Sequence, residues 1–85
     1  MKIGFRTDSS KLIGAGHLRR CLKLAEDLKS KSKDIIFITK NLQGNFNNLI
    51  NRKRFKLVLI KNNKLKNDLS ITKKICKKFK INFLI

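Results

Sequence analysis

The chain contains no proline, tryptophan or tyrosine, one histidine, two cysteines and only five acidic residues among 85. Without tryptophan and tyrosine its aromatic groups are six phenylalanines. Cys21 and Cys76 stand too far apart for a CxxC metal or redox pattern. Both fall at apolar helical positions, as expected of reduced core thiols, and a disulfide between them is disfavoured. No His, Cys, Asp and Glu cluster offers a metal site. No apolar run approaches the ~20 residues that span a bilayer, and Met1-Lys2-Ile3-Gly4-Phe5 lacks the apolar core of a signal peptide. These absences lead us to expect a cytoplasmic protein with no membrane partner. Eighty-five residues allow one small domain that buries a modest share of its surface.

The net charge of +17, taken alone, suggests nucleic acid or another anionic surface as partner. Lysine, however, greatly outnumbers arginine, and lysine, asparagine and isoleucine run high together, as AT-rich codon usage would produce. The lysines are also dispersed along the chain, and the phenylalanines occupy apolar stripes where they are not available for base stacking. A basic nucleic-acid-binding module is therefore the last of three readings.

Residues 2–7 form a mostly apolar run, the pattern of a strand buried on both faces. Residues 8–16 read as a loop. Leu18, Cys21, Leu22, Ala25 and Leu28 then draw one helical stripe between His17 and about Lys31. A second buried strand covers 34–39 and is rich in β-branched residues. A turn follows over 40–44. Residues 45–52 form a short helix carrying Phe46, Leu49 and Ile50, and 55–60 a third strand. After a polar loop at 61–64, Asn67 or Asp68 caps a helix whose stripe is Leu65, Leu69, Thr72, Ile75, Cys76 and Phe79. Lys73, Lys74, Lys77 and Lys78 fall largely on its other, solvated face. Residues 81–85 close the chain as a fourth strand. The order βαβαβαβ predicts a parallel, Rossmann-like α/β sheet with helices covering its faces. A last residue inside a core strand is expected of the front part of a larger α/β protein.

Ligands of open parallel sheets bind outside the carboxyl ends of the strands. Of the connections reaching that edge, only 8–16 carries convergent reactive groups. It is not a Walker A loop, which needs Gly-Lys-Ser/Thr after its spacer. Nor is it the dinucleotide fingerprint: Arg19 stands where a third glycine is required, and the second strand ends in Thr39-Lys40 without the acid that holds a ribose. No nicotinamide, flavin or other cofactor is expected. What is present is F-R-x-D followed by G-x-G-H-x-x-R. Gly14 and Gly16 allow a sharp turn and close approach to a ligand. The helix they enter begins with unpaired N–H groups and partial positive charge, which suit a phosphate. The same dipole disfavours an imidazolium at His17, leaving a base able to take a proton from water. Asp8 can orient His17 or hold substrate hydroxyls, and Arg6 and Arg20 can bind negative charge. Each alone is equally well a turn, helix-start or surface residue; their convergence on one edge favours function.

The stretch Gly4-Phe5-Arg6-Thr7-Asp8-Ser9-Ser10, with Ile13-Gly14-Ala15-Gly16-His17, Arg20-Cys21-Leu22 and Leu24-Ala25, resembles the N-terminal end of the UDP-sugar hydrolases of the pseudaminic acid pathway. The resemblance covers about the first twenty-five residues and continues beyond them only as a pattern of strands and helices. It implies the N-terminal domain of a GT-B-like fold, with the active site in a cleft between two domains. It further implies hydrolysis of UDP-2,4-diacetamido-2,4,6-trideoxy-β-L-altropyranose to UDP and the free sugar, without metal. His17 matches the family's catalytic histidine, and Gly14-Ala15-Gly16 the segment facing sugar and diphosphate. The remaining implied partner is a C-terminal nucleotide-binding domain, encoded separately; the 85 residues are expected to be inactive without it. A GT-B-like glycosyltransferase using a nucleotide-sugar donor is the second reading.

Overall fold

The computed structural model describes residues 1–31, 33–60 and 68–85. Its elements run β1 (Lys2–Arg6), α1 (Gly16–Lys29), β2 (Asp34–Lys40), α2 (Asn48–Arg52), β3 (Lys56–Ile60), α3 (Asp68–Lys78) and β4 (Phe83–Leu84). The four strands form one sheet in the order β3-β2-β1-β4, and every pairing is parallel. This is the α/β, Rossmann-like arrangement that the alternating pattern predicts.

Period-two alternation along the strands sorts the core into two layers. Ile3, Phe5, Ile35 and Phe37 point to one face, where Leu18, Cys21, Leu22 and Ala25 of α1 and Ile50 of α2 cover them. Ile36, Ile38 and Ile60 point to the other, against Ile71, Ile75, Cys76 and Phe79. The first layer holds the larger aromatic cluster. Phe5 and Phe37, register partners, stack with centroids 5.0 Å apart, and Phe55 lies 5.4 Å from Phe37. Gly4 faces the second layer, where a Cβ would come within 3.0 Å of Ile81.

Several boundaries differ from expectation for local reasons. Helix α2 is confined to Asn48–Arg52, because Asn45 and Phe46 are held in the preceding turn. The Asn45 amide donates to Asn41 and to the Leu42 carbonyl, and the Phe46 N–H donates to Ser9 Oγ. On α3 the buried arc runs through Ile71, Thr72, Ile75, Cys76 and Phe79; Leu69 is exposed. At 3.6 residues per turn Leu69 lies at the margin of that arc. The four lysines at 73, 74, 77 and 78 are exposed as expected. Strand β4 is shorter than 81–85 and is an edge rather than a core strand, with Phe83, Leu84 and Ile85 about half exposed. Its main-chain ladder to β1 continues on both sides, from Asn82 N–H to Lys2 O and from Arg6 N–H to Ile85 O. The expected loop at 61–64, Leu65 and the Asn67 cap lie outside the described residues. Among the described residues no helix is long and apolar enough to cross a membrane.

Candidate functional site

The strand ends bring the sequence-predicted residues to the carboxyl edge of the sheet. There a cleft of about 400 Å³ is lined by Arg6, Thr7, Asp8, Ile13, Gly14 and His17. Beyond β1 the chain folds the loop 8–16 on itself. Ser10 and Gly14 exchange main-chain hydrogen bonds, and Ser10 Oγ accepts the N–H groups of Leu12 and Ile13. Gly14 makes this possible with φ +74°, a left-handed conformation that side chains disfavour. The loop is pinned to the β2–α2 connection. Lys11 N–H donates to Gln43 O at 3.0 Å, and Ser9 Oγ accepts Phe46 N–H at 2.8 Å.

Helix α1 begins at Gly16, with Ala15 as its N-cap and no capping side chain. Its first turn holds no acidic residue, so the helix dipole there is unopposed by a carboxylate of its own. Arg20 folds back toward this start: its guanidinium lies 3.8 Å from where a Cβ on Gly16 would stand. Arg20, Ala15 and Gly16 therefore stand beside the cleft without lining it. Of the two glycines that the sequence marks for the turn, only Gly14 uses a positive φ; Gly16 is the first helical residue.

His17, in the first turn, is exposed on its cleft side and engaged on its inner one. Its Nδ1 lies 3.0 Å from Thr7 Oγ1 and its Nε2 3.6 Å from Cys21 Sγ. Asp8 does not orient it. The Asp8 carboxylate accepts two hydrogen bonds from the Arg6 guanidinium, at 2.7 and 3.1 Å, and a third from the main-chain N–H of Lys40 at 2.8 Å. Strand parity explains the difference. Thr7 continues the Ile3–Phe5 face that meets α1, whereas Arg6 and Asp8 have the opposite parity and turn to the rim of β2. The Arg6–Asp8 pair is three-quarters or more buried on both sides and ties β1 to the end of β2 while still bordering the cleft. Thr7 and Ile13 are the lining residues that attention to ionisable types misses. The parity of Ile3, Phe5 and Thr7 is a usable signal for the first; Ile13 carries none.

Cys21 is buried and reduced, and burial pushes its thiol above the ordinary value of 9.0, against a hydrogen bond from Thr7 and the nearby positive charge of Arg20. Cys76 is free and half-buried. Among the described residues no three His, Cys, Asp or Glu side chains stand close enough together to hold a metal ion.

Lysines dispersed in sequence are partly gathered in space. Lys2, Lys29, Lys33, Arg54 and Lys56 border a second cleft, of about 350 Å³, with Asp34 their single acidic neighbour. It lies at the amino ends of the strands, the opposite edge from His17. The phenylalanines near it serve other contacts: Phe55 is buried beneath Lys29, and Phe79 packs under Lys56.

Comparison with protein families, with characterised proteins and with solved structures returns no match to this chain.

Proposed function

We infer that the carboxyl-edge cleft takes a nucleotide sugar and that the chain carries the catalytic half of a UDP-sugar hydrolase of the kind its N-terminal stretch resembles. One observation carries the reading. A solvent-facing imidazole shares a single cleft with an arginine–aspartate pair and a left-handed glycine, next to a helix start that no side chain caps. An imidazole so placed can take a proton from water as it attacks the anomeric carbon. The helix start, with Arg20 folded toward it, offers positive charge for the departing diphosphate. Arg6 and Asp8, held by each other, present one guanidinium and one carboxylate edge to sugar hydroxyls. The second domain implied by the resemblance would complete the nucleotide site.

The test is UDP release from the diacetamido-altrose nucleotide in water, with no acceptor, by the protein joined to the C-terminal domain that the resemblance implies, and by the His17→Asn variant of the same two-domain protein. Loss of a general base lowers turnover by about 10²–10⁴-fold, with the nucleotide sugar still bound. Unchanged turnover removes His17 from the mechanism. Release that requires an added sugar acceptor makes the protein a glycosyltransferase instead.

A further inference from the structure

We propose that the cleft at the amino ends of the strands is a second site, built for a short chain of phosphate groups such as inorganic triphosphate and indifferent to any base or sugar attached to it. The inference is independent of the hydrolase reading, whose residues lie at the opposite edge of the sheet.

Five segments of the chain meet there. Lys2 opens β1, Lys29 ends α1, Lys33 precedes β2, Arg54 lies between α2 and β3, and Lys56 opens β3. With Asp34 the only acid at the cleft, five cations against one carboxylate leave a surplus of four positive charges. Nothing neutralises them. Arg6 and Lys53, which border two other clefts, are paired with Asp8 at 2.7 Å and with Glu26 at 2.9 Å. Among the described residues none of the five amino-edge cations forms an ion pair. Two are held by rings instead: Lys29 Nζ lies 5.2 Å from the centroid of Phe55 and Lys56 Nζ 4.6 Å from that of Phe79. A ring face steadies an ammonium group without cancelling its charge. The main chain under the other three is pinned. Lys2 N–H donates to Asn82 Oδ1, Lys33 N–H to Leu28 O and Arg54 N–H to Asn51 O.

The lining decides what such a charge can recognise. Buried Ile35, Ile36 and Phe55 form its apolar floor, and walls of that kind focus the field of like charges into the cleft. Among the described lining residues there is no hydroxyl and no side-chain amide to read a base or a sugar. The one ring, Phe55, is buried beneath Lys29 and offers no face for stacking. The volume of about 350 Å³ lies within the range of about 300–1,000 Å³ that ligand sites span. Lysine holds phosphate as a point charge and arginine as a two-pronged donor. A short phosphate chain places several negative charges inside one such concavity. Single-stranded nucleic acid spreads its charges along a strand and draws on base stacking that this edge does not provide.

Amide ¹H–¹⁵N spectra of the 85-residue chain, titrated with inorganic triphosphate, separate the two edges of the sheet. The amides of Asp34, Phe55 and Lys56 report this cleft; those of Gly16 and His17 report the start of α1. At about 0.1 M salt, charges more than about 10 Å apart are largely screened. We expect saturating shifts at the first three amides. Lys33→Gln combined with Arg54→Asn should weaken the affinity read there by about tenfold, the effect of two exposed charge contacts. Asparagine suits the left-handed φ of 62° at position 54. Lys73→Gln combined with Lys74→Gln removes the same charge from the exposed face of α3 and should leave that affinity nearly unchanged. ATP should bind as tightly as triphosphate. Shifts confined to Gly16 and His17, equal weakening by the two double variants, or ATP held more than about tenfold tighter than triphosphate each overturns the proposal. So does an oligouridylate that moves the same amides at concentrations where triphosphate does not, which would make this edge a nucleic-acid surface. Should the cleft double variant fail to fold, Lys33→Gln against Lys73→Gln makes the same comparison. UDP release tests His17 and is not read by these spectra, so either proposal can fail alone.

Discussion

Gly14 and Gly44 adopt nearly the same backbone conformation, φ +74° and +67°, in very different surroundings. A Cβ on Gly14 meets nothing within 4 Å, whereas one on Gly44 stands 2.8 Å from Lys11 Cβ, 3.1 Å from its nitrogen and 3.3 Å from its Cα. Replacing each by alanine therefore separates backbone strain from collision. A left-handed alanine costs roughly 1–2 kcal/mol, offset by about 0.4–1 kcal/mol from the stiffer unfolded chain. Gly14→Ala should then lose about 1 kcal/mol. Gly44→Ala carries the same strain plus overpacking, typically 1–3 kcal/mol. The atoms in the way are backbone and a β-carbon, with no flexible tip to swing aside. The two loops must part, and the hydrogen bond from Lys11 N–H to Gln43 O weakens with them, a further ~1 kcal/mol.

The total for Gly44→Ala is about 3–5 kcal/mol, against a whole-domain stability of roughly 4–13 kcal/mol for this length. At about 4–8 °C per kcal/mol for a domain of this size, Gly14→Ala should lower Tm by about 5 °C and Gly44→Ala by about 15 °C or more. Thermal and urea unfolding followed by far-UV circular dichroism measure both. Equal losses at the two sites would refute the claimed loop-to-loop contact. A larger loss at Gly14 would refute the placement of the 8–16 loop altogether.

Asp8→Asn keeps an acceptor for the Lys40 N–H but gives up the ion pair with Arg6, so we expect a loss of about 1–2 kcal/mol in urea unfolding; no measurable change would show that the Arg6–Asp8 pair does not hold β1 to the end of β2. The two thiols should differ in reactivity. At pH 8 a disulfide reagent should label half-buried Cys76 before buried Cys21, and equal rates would contradict the packing of α1. Because the folded Cys21 thiol titrates above 9.0, its contribution to stability is intact below that pH and fades as pH rises through the folded value. Cys21→Ala should therefore flatten the alkaline loss of stability between its own melting curves.

The elements were legible because each strand is a short unbroken apolar run and each longer helix carries a stripe that one face of a sheet can cover. That information is local. The parallel sheet, its helix-covered faces and the carboxyl-edge location of the 8–16 loop all follow from it once alternation is recognised; the strand order β3-β2-β1-β4 does not. The partners of the site residues are a different kind of fact. Asp8 reaches the N–H of Lys40, 32 residues away, through the β1–β2 register, which no local pattern in either strand states. Lys11 meets Gly44 only because two loops fold over the same strand ends. Charge drew attention to Asp8 as the group that orients His17, yet geometry gives that place to Thr7, a residue with no charge to notice. The parity that puts Ile3 and Phe5 under α1 also puts Thr7 there, and it excludes Arg6 and Asp8 on the same count. Chemical type in a sequence therefore indicates which residues can do chemistry; the alternation of the strand indicates which of them can touch. For the first turn of α1 the second criterion is the stricter one, and it selects a hydroxyl.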